Sequence, residues 1–276
     1  MLLNNDIAQS ILNRIVLLLN ILRKHIPIST HLTVLPSGRI VNNNKISILK
    51  LLSFSRSYHS SANLHQKRLT NLERSKFTLS DYLKAVLVGN ILGDVYMRRF
   101  SSKANTRLTL RQGSINAEYL LYLYGLFQHF VTTPPSISSI KDKITGKTRY
   151  NLSFTTLALP CFNQLYETFY VNGKKIIPAN IAELLTPVSL AFWIMDDGGF
   201  TGSGLKLYTN AFSSSDLDLL IDALDKNFGI KATINKSSIK DQQTLYISKK
   251  QLPLVVDLVK DHMHPSMLYK LNITQQ

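Results

Sequence analysis

Two nearly apolar segments close on an acid at the same place, 103 residues apart. They are Leu87-Val88-Gly89-Asn90-Ile91-Leu92-Gly93-Asp94-Val95 and Leu190-Ala191-Phe192-Trp193-Ile194-Met195-Asp196-Asp197-Gly198. A carboxylate at a helix C-terminus sits against the negative end of the macrodipole. Something must compensate for it, and a bound divalent cation is the obvious candidate. For one segment alone, a packing helix whose acid caps the next turn is the simpler reading. Two segments, each heading the same order of elements, argue against that.

The order is helix, strand, helix, strand, strand, helix. In the first copy the pattern predicts a helix over 80–95, a strand over 107–112 and a helix over 116–130. Strands near 137–141 and over 150–155 follow, and a helix near 157–169 closes the copy. The second copy places the same elements at 186–197, 205–210, 214–228, 231–236, 244–248 and 249–261. The expected organisation is a basic N-terminal extension over 1–76, a first half-domain over 77–184 and a second over 185–276. Gly89 and Gly93 lie four apart on one helix face, where another helix could approach closely.

The strands alternate. Arg107, Thr109 and Arg111 share one face, opposite Leu108 and Leu110. Lys206, Tyr208 and Asn210 oppose Leu205 and Leu207. Lys231, Thr233 and Asn235 oppose Ala232 and Ile234, and Thr244, Tyr246 and Ser248 oppose Leu245 and Ile247. Any half-buried antiparallel sheet shows this period. The type of polar residue is the informative part: these side chains bond base edges and phosphates, and carboxylates are absent. The expected DNA-contacting set is Arg98, Arg107, Thr109, Arg111, Lys206, Tyr208, Asn210, Lys231, Thr233 and Asn235.

Charge points the same way. Lys plus Arg is 32 and Asp plus Glu is 17, a formal charge of +15. Such a chain suits a polyanionic partner. Residues 1–76 hold 11 basic and two acidic side chains, and 77–276 hold 21 and 15. The stretch around Arg56-Ser57-Tyr58-His59-Ser60-Ser61 resembles a mitochondrial presequence-processing region; translated sequence ahead of an intron-encoded domain is the competing reading. The single cysteine, Cys161, excludes a disulfide framework and Cys-based zinc fingers. His262 and His264, near Pro265, read as a surface turn rather than a metal site. The longest apolar stretch, 7–26, is broken by Arg14, Asn20, Arg23 and Lys24. It does not provide the ~20 apolar residues of a membrane span.

The two nonapeptides resemble the LAGLIDADG motif of homing endonucleases, with Asp94 and Asp197 at its acidic position. The resemblance covers about residues 77–272. It extends to Val171-Asn172-Gly173-Lys174-Lys175-Ile176-Ile177-Pro178, to Leu185-Thr186-Pro187, and to Met267-Leu268-Tyr269-Lys270-Leu271. It implies an α+β fold of two pseudo-symmetric halves, each a curved antiparallel sheet with helices on one face. The motif helices would pack at the pseudo-twofold axis of a monomer, with the sheets forming a saddle over double-stranded DNA. It implies Asp94 and Asp197 as ligands of Mg²⁺ or Mn²⁺, with Lys175 and Lys270 beside them. The chain departs from the motif at Asn90, Val95, Phe192 and Asp196, so the helix packing is expected to be asymmetric. Asp196 is expected to face away from Asp197 with a minor role.

Phosphodiester hydrolysis needs an activated water and a stabilised leaving oxygen, and a carboxylate-bound Mg²⁺ supplies both. Mg²⁺ keeps several waters, so few protein ligands suffice. The leading function is a site-specific, mitochondrial intron-homing endonuclease. The alternative is a maturase that binds intron RNA on the same fold. A silent DNA binder is disfavoured, because neither non-cutting reading needs both acids.

Overall fold

Capping residues start both motif helices, and their apolar composition puts them at the centre. The computed structural model describes residues 33–34, 40–41, 68–142, 145–236 and 243–273. The chain divides into two compact units, Met1–Arg68 and Leu69–Gln276. In the first, Thr33–Val34 pairs antiparallel with Ile40–Val41. The apolar stretch over 7–26 and the processing-like stretch lie outside the described residues. The second unit begins with α1 (Asn71–Ser75), capped by a Thr70–Glu73 box. Arg74 fastens it by donating to the Ala158 carbonyl at 2.7 Å. This unit therefore starts eight residues ahead of the expected 76/77 boundary.

In α2 (Asp81–Leu92), Ser80 accepts from the Leu83 N–H, and every residue from Val86 to Leu92 is buried. The chain then forms β1 (Tyr96–Arg98), β2 (Arg107–Gly113), α3 (Ala117–Phe127), β3 (Ser136–Lys141), β4 (Thr148–Thr155) and α4 (Asn163–Phe169). A hairpin follows, β5 (Tyr170–Val171) and β6 (Lys174–Lys175), and then α5 (Ile181–Leu184). In α6 (Pro187–Asp197), a Thr186–Ser189 capping box and Pro187 start the helix, and Ser189 to Asp196 are all buried. Next come β7 (Gly198–Phe200), β8 (Gly204–Tyr208), α7 (Ser214–Phe228), β9 (Ala232–Lys236), β10 (Gln243–Ser248) and α8 (Leu252–Val259). A 3₁₀ turn over Pro265–Leu271 closes the described chain.

Each half is an antiparallel sheet with the same strand order, β1-β2-β4-β3 and β7-β8-β10-β9. Both first strands, β1 and β7, lie outside the expected element order. They are only three residues long, too short to show a period. The helix expected over 157–169 is shorter, because a 3₁₀ turn over Pro160–Phe162 precedes α4. The one expected over 249–261 is likewise reduced to α8 between two 3₁₀ turns.

The pairings of β1 with β2 and of β7 with β8 set the equivalence of the halves. Met97 pairs with Leu108, and Phe200 with Leu205. Asp94 therefore corresponds to Asp197, Gly93 to Asp196, Asn90 to Trp193, Gly89 to Phe192 and Gln112 to Thr209. At the α2–α6 crossing these counterparts meet. A Cβ at Gly89 would collide with the Ser189 carbonyl and lie 2.8 Å from Phe192 Cβ; one at Gly93 would collide with Asp196 Cβ. Each glycine makes room for its own bulkier counterpart, so the packing is asymmetric as expected. Gly89→Ala and Gly93→Ala should each lower stability by about 1–3 kcal/mol through overpacking. Chemical denaturation measures this, and a loss no larger than that of Gly125→Ala, where an added Cβ meets nothing within 4 Å, would contradict the close approach.

Candidate active site

The crossing helices deliver both acids to one place. Asp94 follows Gly93, the residue that ends α2, and Asp197 is the last residue of α6. Asp94 reaches solvent and Asp197 is half-buried.

Two lysines complete the helix ends. Asn172 and Gly173 both have positive φ, at 52° and 76°, which gives the tight hairpin that an Asn-Gly pair favours. This hairpin places Lys175, whose Nζ donates to the Gly93 carbonyl at 3.0 Å. Lys270 rises from the 3₁₀ turn and donates to the carbonyls of Met195 and, at 2.8 Å, Asp196. Each lysine thus caps the motif helix of its own half, where a cation relieves the macrodipole.

Three acids share the space. Burial pushes Asp197 up to about 7, helped by the charge of Asp94 and opposed by Lys175 and Lys270. Burial and then Asp94 push Asp196 up to about 8. Asp94 is also raised by burial, against the pull of Gln112 and the two lysines. Burial lowers both lysines. The site is short of positive charge in a way that suits a hard cation with oxygen donors. Among the described residues, no group of three His, Cys, Asp or Glu side chains is arranged to enclose a metal ion. The carboxylates would hold an ion only partly, with water and phosphate completing it.

These shifts carry a sign. A native carboxyl that holds its proton above the unfolded value of 3.8 makes stability fall as pH rises from there to its native pKa. The lowered lysines act oppositely, between their native values and 10.5. The metal-free protein should therefore melt lower as pH rises from about 4 to about 8, and Asp196→Ala should fall less steeply. Parallel curves for the two proteins would rule out a contribution from Asp196.

Gln112 belongs to the site although the alternation assigns even positions of β2 to the core. Its Nε2 donates to Asp94 Oδ2 at 2.9 Å and to Asp196 Oδ1 at 3.2 Å. The signal was visible as a polar residue on the apolar face of the strand. Asp196 is nearly buried and bonded across the crossing to Asn90 and to the Asp94 backbone N–H. His264 caps the 3₁₀ turn, its Nδ1 accepting from the Ser266 N–H, as expected of a turn residue.

On the open face of the first sheet, Arg98, Arg107, Thr109 and Arg111 stand with Tyr96, Ser153 and Thr155. Phe100, 60% exposed, carries the Arg98 guanidinium at 4.1 Å and that of Arg107 at 5.2 Å. The second sheet presents Lys206, Tyr208, Thr233 and Asn235, with Tyr246 between Lys206 and Thr233. Two residues differ from the expected pattern. Asn210 lies in the turn after β8, and Lys231 precedes β9, ion-paired with Asp225 of α7.

Residues 84–255 match the model of the LAGLIDADG DNA endonuclease family. The chain belongs to this family. The cytochrome b mRNA maturase bI2 of Debaryomyces hansenii is 36% identical to this LAGLIDADG chain over 188 residues, covering 67% of it and 72% of the maturase. The probable intron-encoded endonuclease 1 of Wickerhamomyces canadensis is 30% identical over 215 residues, 75% of this chain and 91% of that protein. Among solved structures, the homing endonuclease I-WcaI bound to its DNA recognition sequence superposes with a TM-score of 0.70. That match has 28% identity and covers 77% of this chain and 96% of the other. Among the described residues, no helix is long and apolar enough to cross a membrane.

Proposed function

We propose that this LAGLIDADG protein is a mitochondrial, site-specific homing endonuclease that cuts both strands of double-stranded DNA as a monomer. The observation that carries the reading is that Asp94 and Asp197 meet at the ends of two crossing helices, each helix end held by a lysine, Lys175 or Lys270, and that both lysines act on both acids. Asp94 and Asp197 would hold Mg²⁺ or Mn²⁺. Such an ion lowers the pKa of bound water and neutralises charge developing on the phosphate.

The remaining roles belong to the chain. Lys270 and Lys175 hold the helix ends and supply positive potential beside the scissile phosphates. Gln112 orients the Asp94 carboxylate. The open sheet faces bear arginine, lysine, tyrosine and amide groups for phosphates and base edges and, among the described strand residues, no carboxylate. The test is a plasmid library carrying randomised inserts together with the intron-free exon junction of the host gene. Linear product from a subset of inserts in Mg²⁺, and none in EDTA, is expected. No linear product from any insert would sink the endonuclease reading.

The maturase relative supports intron RNA binding as a second reading. Loss of splicing in a cleavage-dead but folded variant would count against it being a separable activity.

Binding should weaken steeply with salt. Arg111→Ala should reduce the log–log slope by about 0.9 if the side chain meets one phosphate. If it reads a base instead, discrimination at one position should relax by about 1–3 kcal/mol. Fluorescence anisotropy across a salt series measures both, and unchanged slope and specificity would remove Arg111 from the interface.

A further inference from the structure

Asp196 reaches out of the second motif helix and into the first active site. Its Oδ2 accepts from Asn90 Nδ2 at 2.9 Å and from the Asp94 backbone N–H at 3.3 Å. Its Oδ1 accepts from Gln112 Nε2 at 3.2 Å, and the same Nε2 holds the Asp94 carboxylate. Asn116 Nδ2 fixes the other end of the Gln112 amide at 3.1 Å, and Asn90 Nδ2 also donates to the Tyr119 hydroxyl at 3.1 Å.

Among the described residues this network has no counterpart in the second half. The equivalent of Asp196 is Gly93, which has no side chain and leaves the space that Asp196 fills. The equivalent of Asn90 is Trp193, which cannot bridge carboxylates. The equivalent of Gln112 is Thr209, whose hydroxyl instead donates to the Gln243 carbonyl at 2.9 Å. Three donors converge on a carboxylate from the other half: one is the Asp94 N–H itself, and another, Gln112, also holds the Asp94 carboxylate.

We propose that Asp196 is a positioning residue supplied in trans by the second motif helix, which sets the Asp94 site and leaves the Asp197 site to be set separately. The two strands of the DNA are therefore cut by sites with different dependence on this one side chain. The inference rests on the endonuclease reading and adds a division of labour to it. Ala at position 196 removes every acceptor but keeps the Cβ that packs on Gly93. Asn keeps one acceptor and turns an N–H group towards Gln112 or Asn90, both of which are donors.

The experiment labels each strand of a target selected by wild-type cleavage and follows both on denaturing gels. Asp196→Ala should change the ratio of the two strand rates by roughly 10–100-fold, the usual range for removing a partner of a metal-binding carboxylate. Asp196→Asn should shift it the same way by less, and it carries the test if the alanine variant does not fold. Tb³⁺ bound to the free protein, sensitised by the single Trp193, gives a readout without turnover. One class of ion should weaken by about 10-fold and the other stay. A general loss of stability or of negative charge would slow both strands, or weaken all Tb³⁺ binding, in proportion. That outcome, or an unchanged strand ratio, overturns the inference. Failure of wild type to cut any target sinks the endonuclease reading instead, and Tb³⁺ binding then decides the positioning role alone.

Discussion

Asp94→Asn and Asp197→Asn should each abolish double-strand cleavage while leaving target binding in Ca²⁺ close to wild type. Asn preserves shape and still offers Gln112 Nε2 an oxygen at position 94. It removes the charge that a divalent ion requires. Loss of one charge-stabilising group from an active site costs about 10²–10³ in rate, and a double-strand break needs both sites. On supercoiled target plasmid, the expected products are uncut and nicked circles. Linear product at near wild-type rate from either variant would defeat the two-acid mechanism and move the maturase reading ahead.

Lys270→Met should have the second-largest effect, on stability as well as rate. Lys270 is 7% exposed and its ammonium holds two carbonyls at the end of α6. Removing it leaves those buried acceptors unpaired, at about 1–3 kcal/mol each. It also takes positive potential from Asp197. The loss in cleavage should be about 10²-fold or more, the scale set by removing one preorganised donor. Lys175→Met should cost less stability, because Lys175 holds one carbonyl and is less buried. Equal melting temperatures for both variants and wild type would show that the lysines do not hold the helix ends.

The parts of the fold that were legible are those with a long period or a duplicated pattern. α2 and α6 are visible in the sequence because each is apolar over two turns and is followed or closed by an acid at the same step of the motif. α7 has the expected bounds because a Ser213–Asp216 capping box starts it and Gly229, at φ 67°, stops it. In the sequence the Lys175 hairpin follows only from the family resemblance; its Asn-Gly turn, with both residues at positive φ, accounts for it physically.

What escaped notice is short or crosses between the halves. β1 and β7 have no room for alternation. Phe100 was invisible as a partner of Arg98 and Arg107 because it sits in the loop after β1. Gln112 broke the alternation of β2, which marked it as unusual without naming what it would meet. Angles within one helix turn Asp196 away from Asp197 but say nothing about the helix packed against it. Its role depends on Gly93, 103 residues earlier, being small enough to admit its side chain.

In the proposed mechanism Asp94 and Asp197 each hold a divalent ion at a scissile phosphate. The most direct measurement is anomalous diffraction from crystals of the protein on its target DNA with Mn²⁺. Manganese peaks coordinated by both the Asp94 and the Asp197 carboxylates and by phosphate oxygens of opposite strands are expected. Manganese bound elsewhere, with both carboxylates facing only protein groups, would contradict it.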